Sequence, residues 1–118
     1  MLDYLLHCTG SEVYLETKSA VLRDGSYAMY PDCPTARGRR HIRELKAHKA
    51  AGGAAAVAFI AALPRVQAFK PYRAGDPELC DLLITAKQAG VDIKALALLY
   101  NPPDAAVYLY NADLPVEL

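Results

Sequence analysis

The sequence predicts a single α/β domain. Three observations carry that reading. Two short segments near the start alternate apolar and polar residues, two later stretches combine helix caps with helical spacing, and two apolar runs of strand length follow them. At 118 residues the chain is long enough to bury one core, and its 53% hydrophobic and 22% charged fractions are ordinary for a globular domain.

The elements follow in order. Residues 2–8 alternate, with Leu2, Tyr4, Leu6 and Cys8 opposite Asp3, Leu5 and His7. Residues 13–20 alternate again, with Val13, Leu15 and Thr17 opposite Tyr14, Glu16 and Lys18. Thr9-Gly10-Ser11 between them is a turn signal, so the pair reads as a hairpin. Residues 21–30 read as a further hairpin arm turning at Asp24-Gly25. Pro31 to Pro34 break the strand. Pro34 suits the first turn of a helix capped by Thr35 or Asp32, running to about Ala51 and stopped by Gly52-Gly53. Residues 54–63 are small and apolar without interruption, the pattern of a strand covered on both faces.

Residues 64–75 read as a loop. Asp76-Pro77-Glu78 supplies a cap, a proline at the first helical position and an acid in the first turn. Leu79, Leu82, Leu83 and Ala86 keep helical spacing, and Gly90 marks the stop. Residues 91–100 read as a buried strand, Pro102-Pro103-Asp104 as a turn, and 107–110 as a last strand. No internal repeat or low-complexity tail is present.

Composition removes several function classes. No apolar run is long enough to span a bilayer, so no membrane partner is expected. The first residues lack the basic start and long apolar core of a signal peptide, which leads us to expect a cytoplasmic protein. Cys8, Cys33 and Cys80 are scattered with no C-x-x-C spacing; they read as reduced packing residues, not a zinc site. The formal net charge of zero hides a basic block: Arg37, Arg39, Arg40, Arg43, Lys46 and Lys49 face the single acid Glu44. Such a block is either a solvated helix face or the footprint of a polyanion.

Glu16-Thr17-Lys18 is an E-x-K tripeptide, repeated at Glu44-Leu45-Lys46. Geometry separates the copies. Residues two apart share a face on a strand but not on a helix, so only Glu16 and Lys18 can form one site. A four-residue connection over 9–12 would set Leu5 opposite Glu16 and Asp3 opposite Lys18. Asp3, Glu16 and Lys18 then cluster on one side, with Leu2, Tyr4, Leu6, Val13 and Leu15 on the apolar side. Two carboxylates, with the Thr17 backbone carbonyl as a further donor, suit Mg²⁺ or Mn²⁺. A metal held by Asp3, Glu16 and Thr17 would activate water against a phosphodiester, and Lys18 would stabilise the developing charge. An ordinary salt bridge on a surface hairpin is the other reading of the same residues.

Three stretches resemble the sugar fermentation stimulation protein family (SfsA): residues 14–19, residues 30–45 from Tyr30-Pro31-Asp32-Cys33-Pro34-Thr35 to Glu44-Leu45, and residues 114–118. Phe69-Lys70-Pro71 and Asp76-Pro77 resemble it too. The resemblance implies a restriction-endonuclease-like domain of the PD-(D/E)xK type, a mixed sheet flanked by helices. Asp3 matches the motif's first acid, Glu16 its second and Lys18 its lysine, while Pro31-Asp32 lies after the E-x-K and is not the motif's PD. The resemblance also implies DNA binding linked to sugar metabolism. Two departures from the family pattern are expected to matter: the sequence begins where the family's N-terminal OB-like barrel would end, and Ala62-Leu63 stands where a Gln-Arg pair is expected.

On the basic helix, Arg37 and His41 are one turn apart. With Thr35 at the helix start they are expected to contact phosphate, and Arg39 and Arg40 to track a nucleic-acid backbone. Structural roles are equally open: Arg37 paired with Asp32, His41 packed in the core. His7 and His48 read as surface residues. The functional candidates are a Mg²⁺-dependent phosphodiesterase acting on DNA or RNA, a non-catalytic DNA-binding regulator of sugar metabolism genes, and an oligomerising scaffold. Analogy with small nucleases of this fold suggests a homodimer.

Overall fold

The computed structural model describes residues 4–8 and 11–118; the side chains of 6–8 and 11 fall outside that description. Strands β1 (Tyr4–Cys8) and β2 (Ser11–Ser19) are followed by β3 (Leu22–Asp24), β4 (Tyr27–Tyr30) and helix α1 (Ala36–Ala50). Strands β5 (Ala54–Ala61) and β6 (Ala68–Pro71), helix α2 (Pro77–Gln88), and strands β7 (Asp92–Asn101) and β8 (Ala106–Asn111) complete the chain. This is the α/β architecture expected from the sequence, a mixed sheet flanked by two helices.

The main sheet runs β1-β2-β5-β7-β8. Its centre, β2-β5-β7, is parallel, and β1 and β8 pair antiparallel at its ends. The expected third hairpin arm instead leaves this sheet. β3, β4 and β6 form a separate three-stranded sheet in which β6 runs parallel to β4. β6 falls in the segment read as a loop. Lys70 and two prolines mask its short pattern, and its pairing to β4 and bridge from Phe69 to Val116 come from distant parts of the chain.

The hairpin register differs from the expected one by two residues: Leu5 pairs with Tyr14, and Cys8 with Ser11. A two-residue shift preserves the faces, so Tyr14, Glu16 and Lys18 still point one way. They point inward. Tyr14, Glu16 and Lys18 lie beside Ala55, Val57 and Phe59 of β5, all three buried. Both helices cover this face, packing Ile42, Leu45, Leu79 and Leu83 onto it. The face expected to be the core side is only half-buried at Val13 and Leu15, and Tyr4 is 54% exposed. β5 likewise alternates between buried and half-buried positions and is not covered equally on both sides.

Local signals set the helices. Thr35 caps α1 by accepting from the Gly38 N–H at 2.9 Å. Asp76 caps α2 by accepting from the Leu79 N–H at 3.0 Å. Gly90, at φ +98°, lets the chain reverse after α2, and the Val91 N–H reaches the Ala86 carbonyl at 3.0 Å. Phe59 and Phe69 stack at 4.2 Å between ring centres, joining the two sheets.

Candidate functional site

Strand β2 aims Glu16 and Lys18 at α1, and α1 returns His41 to meet them. Lys18 Nζ lies 2.9 Å from Glu16 Oε1, His41 Nδ1 lies 2.9 Å from the same oxygen, and Lys18 Nζ lies 2.8 Å from His41 Nδ1. Glu16 and His41 are each 1% exposed and Lys18 is 13% exposed. Burial pushes the His41 imidazole below its ordinary value, and the adjacent Lys18 ammonium adds to that while Glu16 opposes it. A neutral ring can donate from Nδ1 to Glu16 or accept there from Lys18, one at a time. His41 Nε2 is buried with no hydrogen-bond partner among the described residues.

This constellation is not a surface salt bridge. An exposed Lys-Glu pair is worth little and forms easily. Desolvating a carboxylate, an ammonium and an imidazole together is costly and persists where the surrounding fold enforces it, often at functional sites. Hard oxygen donors suit a divalent cation, and the Glu16 carboxylate and Thr17 backbone carbonyl have that chemistry. Among the described residues no cluster of three His, Cys, Asp or Glu side chains is placed to hold a metal. Asp3, the other expected acid, lies outside the described residues.

The helix residues divide. Arg37 is exposed in the first turn of α1, with no ion pair among the described residues. Arg40 is exposed and loosely paired with Glu44 at 3.8 Å. Thr35 and Arg39 are engaged within the protein. The Thr35 N–H donates to Asp76 Oδ2 at 2.9 Å while its hydroxyl caps α1. Arg39 pairs with Asp76 at 2.5 Å and with Glu78 at 3.1 Å. His41 is buried, and its contacts are with Glu16 and Lys18. No local signal announced the Arg39 pairing, because its acids lie nearly forty residues on.

Other expectations also change. His48 packs edge-on against Tyr14 at 4.3 Å, so it is not a free surface residue. Cys33 is exposed and Cys80 buried, both as free thiols. His7 and Cys8 have side chains outside the description. No helix among the described residues is long and apolar enough to cross a membrane.

The family model described as "Sugar fermentation stimulation protein RE domain" matches residues 1–104. The chain belongs to the sugar fermentation stimulation protein family. It is 51% identical over 117 residues to a sugar fermentation stimulation protein homolog of Pyrococcus furiosus, covering 99% of this chain and 50% of that protein. It is 45% identical over 116 residues to the homolog of Archaeoglobus fulgidus, covering 98% and 49%. The solved structure titled "The structure of Pyrococcus Furiosus SfsA in complex with Ca2+" superposes with a TM-score of 0.96 at 50% identity, over 99% of this chain and 50% of that one. The chain thus spans about half the length of these relatives.

Proposed function

We propose that this family member is a DNA-binding domain carrying a Mg²⁺- or Mn²⁺-dependent phosphodiesterase site. The observation that carries the reading is the buried triangle of Glu16, Lys18 and His41 on the strand-borne E-x-K. In the reading, Glu16 and the Thr17 carbonyl hold the cation together with Asp3, and Lys18 holds charge on the phosphodiester. A bound cation would supply a Lewis acid for a phosphate oxygen and a water of lowered pKa. His41 orients the Glu16 carboxylate. Arg37 and Arg40, exposed at the start of α1, contact the nucleic-acid backbone. The Ca²⁺ named for the Pyrococcus structure supports a hard-cation site in this fold.

Cleavage of single- and double-stranded DNA and RNA, with Mg²⁺, Mn²⁺ or EDTA, tests the reading. Metal-dependent cleavage is expected to fall by at least about a hundredfold in Asp3→Asn, Glu16→Gln and Lys18→Met. Cleavage that survives all three would sink the enzymatic reading. Salt-dependent binding with no cleavage under any metal would instead establish a non-catalytic regulator.

A further inference from the structure

At the β8 end of the main sheet is a cleft of about 330 Å³ that the proposed site does not use. Its walls are Leu99, Tyr100, Asn101, Tyr108 and Tyr110 from the β7–β8 pair, with Arg65 from the loop after β5. Tyr100 is 57% exposed and Tyr108 48%. The hydroxyls at the rim are engaged. The Tyr110 hydroxyl donates to the Leu63 carbonyl and accepts from the Val66 N–H at 3.2 Å, while the Tyr108 hydroxyl donates to Asp104. These bonds hold Tyr108 and Tyr110, both of which line the cleft.

Arg65 adds an independent observation. It holds φ at +56°, the left-handed region that glycine adopts freely and a long side chain does not. Its guanidinium is exposed and has no ion pair among the described residues. Strained backbone clusters at functional sites, and here it holds an exposed cation beside an aromatic cleft.

We infer that this cleft stacks an unpaired nucleobase of a single-stranded nucleic acid, with Arg65 on the adjoining phosphate. The inference rests on the nucleic-acid reading above and deepens it. A flat ring matches the tyrosine faces, because every base offers a π-face for stacking. The charge matches Arg65. A protein partner seated there would have to bring an acid to Arg65, whereas a nucleic-acid strand carries a phosphate at every nucleotide. A purely apolar ligand would make no use of the Arg65 charge.

The test measures binding of a short single-stranded oligodeoxythymidylate to the whole chain in EDTA, against an abasic strand of equal charge. Tyr100→Leu and Tyr108→Leu are each expected to weaken binding by about tenfold. Arg65→Gly relieves the backbone strain, so its loss of affinity reports the side chain and not misfolding. It should also lower the salt slope by about 0.7. The abasic strand should bind as weakly as the tyrosine variants. Equal binding of both strands, or parent-like binding by Arg65→Gly and both tyrosine variants, overturns the inference. Tyrosines buried by self-association at the β8 edge overturn it as well. Because no metal is present, these outcomes are independent of whether the Glu16 site cleaves.

Discussion

His41 Nδ1 stands 2.9 Å from Glu16 Oε1, both side chains being 1% exposed. A helix residue and a strand residue 25 positions apart therefore share one desolvated contact, and Lys18 closes it from a second direction. The first prediction follows from this geometry. The folded-state pKa of His41 lies below its ordinary value of 6.5, pushed there by burial and then by Lys18. The unfolded chain thus binds more protons as the pH falls through 6.5. The imidazole's contribution is fully present above 6.5 and is lost on acidification towards the lowered folded value. Urea midpoints for His41→Gln should depend less on pH below 6.5 than those of the parent; an unchanged dependence would refute the assignment.

If Glu16 holds a cation, His41 supports the ligand from behind. His41→Ala should then weaken Ca²⁺ or Mn²⁺ binding by about ten- to a hundredfold, with His41→Gln recovering part of the loss. Calorimetric titration reads this directly. Equal affinity in all three proteins would leave His41 with a packing role alone.

Asp76 ties two helix starts together. One carboxylate oxygen caps α2 through Leu79, while the other accepts from the Thr35 N–H and from Arg39. Burial pushes its pKa up, but the Thr35, Leu79 and Arg39 hydrogen bonds outweigh that and hold it below its ordinary 3.8. Its contribution is therefore present above 3.8 and is lost as the pH falls towards the folded value. Asp76→Ala should cost about 3 kcal/mol near neutral pH, because it removes a cap and leaves Arg39 without its buried partner. Chemical denaturation should show this as a shifted midpoint.

Gly38 sits inside α1, where alanine would ordinarily add about 1 kcal/mol. A Cβ there would meet the Tyr30 hydroxyl at 2.6 Å, Thr35 Cγ2 at 2.7 Å and Leu79 Cδ1 at 3.0 Å. Thr35 is held by its cap bond and Leu79 is fully buried, so overpacking of about 1–3 kcal/mol prevails over propensity. Gly38→Ala should lower Tm; a raised Tm would show that these neighbours can yield.

The arginines of α1 should separate by role. Arg37→Ala and Arg40→Ala are each expected to reduce the salt slope of DNA binding by about one, with little change in stability. Arg39→Ala should destabilise the fold and leave the slope nearly unchanged, since its charge already serves Asp76 and Glu78. A slope change at Arg39 equal to that at Arg37 would contradict this division.

The sequence by itself determined the helix ends and the strands of the main sheet, but not β6. Thr35, Asp76 and Gly90 act within a few residues of where they stand, and capping chemistry is local. It also determined that Glu16 and Lys18 share a face, because strand periodicity requires it. Which face became the interior was a tertiary decision. An alternating strand reads the same from either side, and only the docking of α1 and α2 buried Glu16 beside Val57 in place of Leu15. The same docking brought His41 to Glu16, gave Arg39 to Asp76, and drew β6 beside β4. These are contacts between distant segments, set by packing geometry, which no local pattern encodes.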